Sequence, residues 1–309
     1  MKFLKPKFWE SKNNILTFLL RPISILFNFL TILRVSFITP KQFKIPIICV
    51  GNIYVGGTGK TPVSIAIANT LKINKKKPVI IKKYYKNHED EHKLISKITN
   101  CLILNENRVT ALENAEKEKF DVGILDDGFQ DHSIKKNLNI ICFNNKQLVG
   151  NGLVFPAGPL RESLSSLKRA QIVIINGEKN KPFEEKIFNI SKDIKIFYSK
   201  YIPINIEEFS NKKLFAFAGI GNPGNFFDLL IDYNLNVQKQ ISFPDHYEFK
   251  KKKIQKLIEE ADNKRLDLIT TEKDFYRISS LGFNNLNYLK VSLKIEQKDN
   301  FINEINKYL

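Results

Sequence analysis

Histidine, cysteine and tryptophan are scarce in this chain of 309 residues, at four, three and one respectively, and arginine stands only at positions 21, 34, 108, 161, 169, 265 and 277. Each shortage excludes something. The cysteines, at 49, 101 and 142, form no C-x-x-C pair and sit in or beside apolar runs, which excludes a disulfide framework and points to reduced, buried residues of a cytosolic protein. The formal charge of +17 is carried almost wholly by lysine. Base reading and bidentate phosphate clamping favour arginine, so the excess speaks for an anionic partner such as a nucleotide or an acidic membrane surface. Lys250-Lys-Lys-Lys253 has no interleaved aromatics and is followed by Glu259-Glu260 on the same expected helix, a solvated helix start, and no nucleic-acid partner is expected. A long uninterrupted apolar run is missing too. The most apolar stretch, Ile15 to Ile38, is cut by Arg21 and Arg34 into a charge-free piece of twelve residues, short of the roughly 18 that a spanning helix needs.

With 43% hydrophobic and 26% charged residues, the composition is that of a globular protein of roughly two domains. Within the apolar stretch the polar positions Asn14, Thr17, Arg21, Ser24, Asn28 and Thr31 are spaced 3, 4, 3, 4 and 3 apart, one narrow stripe on a helix otherwise made of Leu, Ile and Phe. Pro22 is expected to break or kink that helix into two pieces. Lys2, Lys5, Lys7 and Lys12, with Phe3, Phe8 and Trp9 among them, suit headgroup phosphates and the interfacial layer. Residues 1–40 therefore read as a helical segment lying in a membrane surface with anionic lipids, the alternative being a core helix of the first domain. No small-residue cleavage site follows, which disfavours a signal peptide.

Ile45 to Val50 is a short strand-like run, and Gly51-Asn-Ile-Tyr-Val-Gly-Gly-Thr-Gly-Lys-Thr61 follows it before a helical stretch from Val63 to Leu71. Strand, glycine turn, Lys-Thr and helix in that order make a phosphate-binding loop of Gly56, Gly57, Thr58, Gly59, Lys60 and Thr61. Lys60 would reach the β/γ-phosphates and the Thr61 hydroxyl would bind Mg²⁺. The strict motif asks for glycine six residues before Lys60, and Tyr54 stands there. An acidic partner for the metal comes from Asp121-Val-Gly-Ile-Leu-Asp-Asp127, an apolar strand closing on Asp126 and Asp127. Further strands at 78–81, 102–104, 139–143 and 172–175 alternate with helical stretches, which predicts a parallel α/β sheet of the P-loop NTPase type.

Taken together, Val50 to Pro62, Asp126-Asp-Gly-Phe-Gln130, Asn151-Gly-Leu-Val-Phe-Pro-Ala-Gly-Pro-Leu-Arg-Glu162, Phe217-Ala-Gly-Ile-Gly-Asn-Pro223, Pro244-Asp-His246 and Thr271-Glu-Lys-Asp274 closely resemble the tetraacyldisaccharide 4'-kinases of lipid A synthesis. Any one of these motifs alone is weak; the ordered set is specific. The resemblance implies a membrane-associated enzyme that moves the γ-phosphoryl of Mg-ATP onto the 4'-hydroxyl of a tetraacylated glucosamine disaccharide 1-phosphate. It also implies a peripheral, monotopic location at the cytoplasmic face of the bacterial inner membrane, and a monomer is expected. By the same resemblance Lys60 and Thr61 take nucleotide and metal, Asp126 and Asp127 complete the magnesium site, Asp90 is the general base for the acceptor hydroxyl, and His246 supports it. Arg161 and Lys273 stand at further motif positions. Two departures from the pattern are Lys82-Lys-Tyr-Tyr-Lys86, where the family has a longer Arg-Gly-Tyr-Gly segment, and Gln130-Asp131, where it has Gln-His. No role passes to His132.

His88-Glu-Asp-Glu-His92 matches the zinc protease signature H-E-x-x-H, but it lies in a charged stretch and overlaps Asp90; without its helix and third ligand the match is coincidence. The alternative function is a membrane-associated ATPase switch of the partitioning and cell-division type. Those proteins place a signature lysine just before the paired glycines, where this chain has Val55, and carry their membrane helix at the other end. A phosphate-binding domain over 41–205 is expected to be followed by a smaller α/β domain over 206–309, with a strand at 214–218, a helix near 226–231, a helix over 250–261 and a strand at 266–270.

Overall fold

A computed structural model of the chain describes residues 6–11, 13–85, 89–245 and 247–309, and for 89–91, 93 and 94 the backbone alone. A short 3₁₀ turn, Lys7–Glu10, precedes helix α1 (Ile15–Ser36). The Asn14 side chain caps α1 by accepting from the Leu16 N–H at 2.9 Å, the standard remedy for an orphan donor at a helix start. The helix runs on through Pro22, so the expected break does not occur. The proline forfeits only the bond its own nitrogen would have given to Phe18.

The polar stripe turns out to be the side of α1 that meets the protein. Thr17 and Ser24 are 4% and 5% exposed, whereas Ile15, Phe18, Ile25 and Phe37 are 75%, 74%, 65% and 85% exposed. Ser24 Oγ accepts from the Ala157 N–H at 2.9 Å, Trp9 Nε1 donates to the Pro156 carbonyl at 3.0 Å, and Phe155 packs edge-on to both Trp9 and Phe27. Only 11% of the most apolar window of α1 is buried, which removes the core-helix alternative.

Beyond α1 the chain alternates strand and helix: β1 (Ile47–Gly51), α2 (Lys60–Ile73), β2 (Pro78–Lys83), α3 (Glu89–Thr99), β3 (Leu102–Asn105), α4 (Arg108–Lys117), β4 (Val122–Asp126), β5 (Leu138–Asn144), β6 (Ile172–Asn176), α5 (Lys181–Phe188) and β7 (Lys195–Pro203). It continues with β8 (Lys213–Ala218), α6 (Pro223–Asp232), β9 (Asn236–Ser242), α7 (Lys251–Asn263), β10 (Asp267–Thr271), α8 (Glu272–Ser279), β11 (Asn287–Leu289), β12 (Val291–Ile295) and α9 (Lys298–Asn306). The first sheet has the order β12-β7-β6-β5-β1-β4-β2-β3, and from β3 to β7 every pairing is parallel. β1 and β4 are buried along their whole length, as strands covered on both faces must be, and this is why they read as unbroken apolar runs. The second sheet, β11-β10-β8-β9, is parallel throughout.

Two compact units result. The larger takes Thr99–Lys200, Ile295–Leu309 and the described residues before Tyr85; the smaller takes Tyr201–Lys294 together with the stretch from Tyr85 to Ile98. Each is assembled from separated stretches, which a division at 40/41 and 205/206 does not express. In the smaller unit Asp274, fully buried, accepts from the Gly219 N–H at 2.7 Å and from Thr271 Oγ1 at 2.9 Å, and pairs with Arg277 at 2.8 Å. The motif Thr271-Glu-Lys-Asp274 thus caps α8 and ties down the turn that follows β8. The Lys97 ammonium of α3 lies 5.2 Å over the Tyr276 ring, joining α3 to α8 within this unit.

Candidate active site

The site of the larger unit is fixed by strand register. Val50 pairs with Asp126, and Lys82 also pairs with Asp126, so β1, β2 and β4 end together at their carboxyl edge. In open parallel sheets that edge, where the order turns at β1, is where ligands bind. β1 ends in Gly51, whose added Cβ would stand 2.4 Å from that of Phe129; only glycine lets the loop after β4 come this close.

The loop from Asn52 to Gly59 leads into the first turn of α2, where unpaired N–H groups and the helix dipole favour phosphate. Gly56 and Gly59 have φ of 132° and 91°, conformations that a side chain resists. Gly57 lies between Gly56 and Thr58 in the same turn. Asn52, fully buried, holds the loop from inside, donating to the Gly56 carbonyl at 3.1 Å and to Thr58 Oγ1 at 3.0 Å. Tyr54, which stands where the strict motif has glycine, is 1% exposed and bridges to Leu160. It anchors the loop to the core before the turn begins, so glycine is not needed there.

Thr61 Oγ1 donates to Asp126 Oδ2 at 2.9 Å, and Ser64 Oγ donates to Asp126 Oδ1 at 3.4 Å. Asp126 is fully buried. Asp127 follows in the left-handed region, φ 62°, which Asp tolerates better than most residues. Its carboxylate lies 3.6 Å from Lys60 Nζ and takes Arg161 Nη1 at 3.0 and 3.2 Å. Burial alone would raise the Asp127 carboxyl, but Lys60, Arg161 and Lys82 outweigh it and hold it at about 2. A carboxylate kept ionised beside cations at a sheet edge is suited to metal and phosphate chemistry. The expected nucleotide and metal residues, Gly56 to Thr61 with Asp126 and Asp127, therefore converge.

Asp90 lies at the start of α3, in the stretch that groups with the smaller unit; its side chain is outside the described residues, as are His246 and His88 of the zinc-like pentapeptide. Among the described residues no group of three or more His, Cys, Asp or Glu could hold a metal by itself. His132 faces Arg169, 3.1 Å away, and burial with the cations Arg169 and Lys136 lowers it to about 4. It is a neutral structural histidine. Cys49 is buried, with its thiol pushed up to about 12, and Cys142 is raised too, both by burial, so neither is a nucleophile.

Sequence reasoning missed two cations. Lys82 Nζ is 2.5 Å from Asp126 Oδ2 and 3.5 Å from Thr61 Oγ1, and Arg108 Nη2 donates to the Asp127 carbonyl at 2.7 Å. Arg108 belongs to no local motif, and Lys82 entered only as the first residue of Lys82-Lys-Tyr-Tyr-Lys86, with no role at Asp126. The only signal was a lysine closing a fully apolar run, and its meaning required knowing that β2 lies beside β4.

The family model described as tetraacyldisaccharide-1-P 4'-kinase matches residues 16–309. The chain belongs to this family. A tetraacyldisaccharide 4'-kinase of Pelagibacter ubique is 42% identical over 99% of this chain and 98% of its own length, and one of Rickettsia canadensis is 36% identical over 98% and 97%. The crystal structure of LpxK from Aquifex aeolicus in complex with ATP superposes with a TM-score of 0.73 at 25% identity, over 95% of this chain and 99% of that one. The tetraacyldisaccharide 4'-kinase family thus accounts for the motifs along the whole chain, in the second unit as well as the first.

Proposed function

We infer that the phosphate loop, Asp126 and Asp127 present Mg-ATP to a lipid acceptor, and that Asp90 and His246 activate that acceptor. The enzyme is an ATP-dependent kinase of lipid A synthesis that phosphorylates the 4'-hydroxyl of tetraacyldisaccharide 1-phosphate. The observation that carries the reading is the convergence of Lys60, Thr61, Asp126 and Asp127 at one sheet edge in a chain whose family membership spans residues 16–309.

Magnesium fits this donor set. Mg²⁺ takes hard oxygens and is held through one or two carboxylates together with the substrate phosphates, and Thr61 and Asp126 already share one hydrogen bond, with Asp127 next in the chain. When bound, the ion neutralises charge on the phosphate oxygens. Lys60 draws charge from the γ-phosphoryl, and Arg161 and Lys60 hold Asp127 ionised. The 4'-oxygen attacks the γ-phosphorus, the bond to the β,γ-bridging oxygen breaks, ADP leaves, and the hydroxyl proton passes to the Asp90 carboxylate. An alcohol is too weak an acid to attack without such a base. The support for Asp90 and His246 is their place in the family motifs.

The outward apolar face of α1 supports docking on an anionic membrane surface. Its protein-facing stripe stays seated on residues 155–157, and Arg21 and Arg34 flank its charge-free piece, so we read α1 as lying in the interface of the cytoplasmic leaflet in a monomeric enzyme. As a division by function we propose a membrane segment over 1–40, a kinase domain over 41–205 and a smaller domain over 206–309, although residues 85–98 group with the smaller compact unit and 295–309 with the larger.

The test is transfer of γ-labelled phosphate from Mg-ATP to detergent-dispersed tetraacyldisaccharide 1-phosphate, with wild type and Asp90→Asn side by side. Labelled lipid with wild type, and a loss of about 10²-fold or more with Asp90→Asn while ATP binding persists, is expected. ATP hydrolysis without labelled lipid, stimulated by bare vesicles and indifferent to Asp90, would refute it in favour of a membrane switch.

A further inference from the structure

No phosphate-loop motif asks for Lys82. It closes β2 directly beside Asp126, its side chain is 8% exposed, and its ammonium lies against a carboxylate that is 0% exposed. A buried carboxylate left without a cation is strongly destabilised. The same ammonium reaches Thr61 Oγ1 at 3.5 Å, and Thr61 in turn donates to Asp126 at 2.9 Å. Lysine, hydroxyl and carboxylate thus form a closed triangle on two of the oxygens that the magnesium reading assigns to the ion.

We propose that Lys82 is a positioning residue that stands in for the divalent cation. With no metal bound, its ammonium compensates Asp126 and keeps Thr61 and Asp126 in their mutual arrangement; when the metal enters, Lys82 yields Asp126 Oδ2 to it. A metal arriving alone must displace a buried ammonium that is held against Asp126 and receives nothing in exchange. A metal arriving on a triphosphate brings the anion that receives it. The site therefore takes metal with nucleotide and resists metal alone. This rests on the magnesium reading of Thr61 and Asp126.

Lys82→Gln removes the charge and keeps a polar chain one atom shorter; Lys82→Arg keeps the charge. Thermal unfolding in chelator and in millimolar Mg²⁺ without nucleotide, and Mn²⁺ binding followed by electron paramagnetic resonance, read the role independently of turnover. Lys82→Gln is expected to melt well below wild type in chelator, to recover at least half of that loss in Mg²⁺, and to bind Mn²⁺ alone at least about tenfold more tightly, because the competing charge is gone. Wild type and Lys82→Arg should respond little to metal alone. If Lys82→Gln is unfolded in chelator, folding restored by Mg²⁺ supports the proposal and failure to fold in either condition overturns it. Unchanged Mn²⁺ affinity, or a melting loss that metal does not repair, also overturns it and leaves Lys82 a plain structural ion pair. Mn²⁺ binding to wild type in the presence of ADP separates the two readings: if it is absent, the metal site itself is wrong; if it is present while Lys82→Gln shows no gain, only the role of Lys82 fails.

Discussion

Replacing Phe18 and Ile25 by glutamine should release the enzyme from membranes without unfolding it. The two positions are seven residues apart on α1, hence on one face, and are 74% and 65% exposed. Withdrawing a Phe or Ile side chain fully from water is worth about 1.5–3 kcal/mol. Scaled by those exposures, the pair contributes about 3 kcal/mol of transfer free energy to membrane binding, or about 100-fold in the partition coefficient. Glutamine keeps good helix propensity, so the fold has little to lose. Flotation with vesicles of mixed zwitterionic and anionic lipid measures the partition, and circular dichroism and thermal melting check the fold. Ser24→Ala is the opposite perturbation. It removes the acceptor of the buried Ala157 N–H and should cost about 1–2 kcal/mol of stability while leaving partition unchanged. Vesicle binding of the double variant within twofold of wild type, with the helix intact, would show that the outward face of α1 is not the membrane face.

Lys60→Met should lower phosphoryl transfer by about 10²-fold or more, because the γ-phosphoryl loses a preorganised cation; single-turnover transfer measures it, and a loss under tenfold would move the role elsewhere. Asp127→Asn tests the acid limb of stability. Asp127 is held at about 2 against an ordinary 3.8, so its contribution is present above pH 3.8 and is lost as pH falls from there towards 2. Asn also tolerates the left-handed backbone of this position. The variant should therefore melt with a flatter pH dependence in that window, and an unchanged slope would mean that Asp127 is not held by Lys60 and Arg161.

What could be read from the sequence was what lies close along the chain. The strand at Ile47–Gly51, the glycine turn and the start of α2 are one contiguous unit, and Asp126-Asp127 closes an apolar run of its own. Pairings across the sheet left no local trace, which is why Lys82 and Arg108 went unseen. The stripe of polar residues on α1 was visible, but its direction was not. A periodic pattern shows that two faces differ, and only the residues at 155–157 decide which of them is inward. Helix α5 hid inside a Lys- and Asn-rich passage although its marks were present: Asn180 accepts from the Phe183 N–H at 3.1 Å as a cap, Pro182 sits in the first turn, and Phe183 and Ile187 bury one face.

One short segment ties helix α1 to the phosphate loop. Pro156 and Ala157 hold Trp9 and Ser24 at the seat of α1. Two residues on, the Pro159 carbonyl accepts from the Val55 N–H at 2.8 Å, the Arg161 N–H donates to the Ile53 carbonyl at 2.7 Å, and the Arg161 guanidinium grips Asp127 at 3.0 Å. From the helix seat to the Asp127 carboxylate the chain is tied down at nearly every residue. Hydrogen bonds this closely spaced leave little room for one end to shift without the other. A kinase whose acceptor is a lipid must hold its γ-phosphoryl at a set height above the bilayer, since a misplacement of about 1 Å can cost 10²-fold in rate. With α1 docked on the membrane as proposed, anchoring it through the same residues that brace the phosphate loop would fix that height by covalent neighbourhood, which a helix attached through a flexible linker could not do.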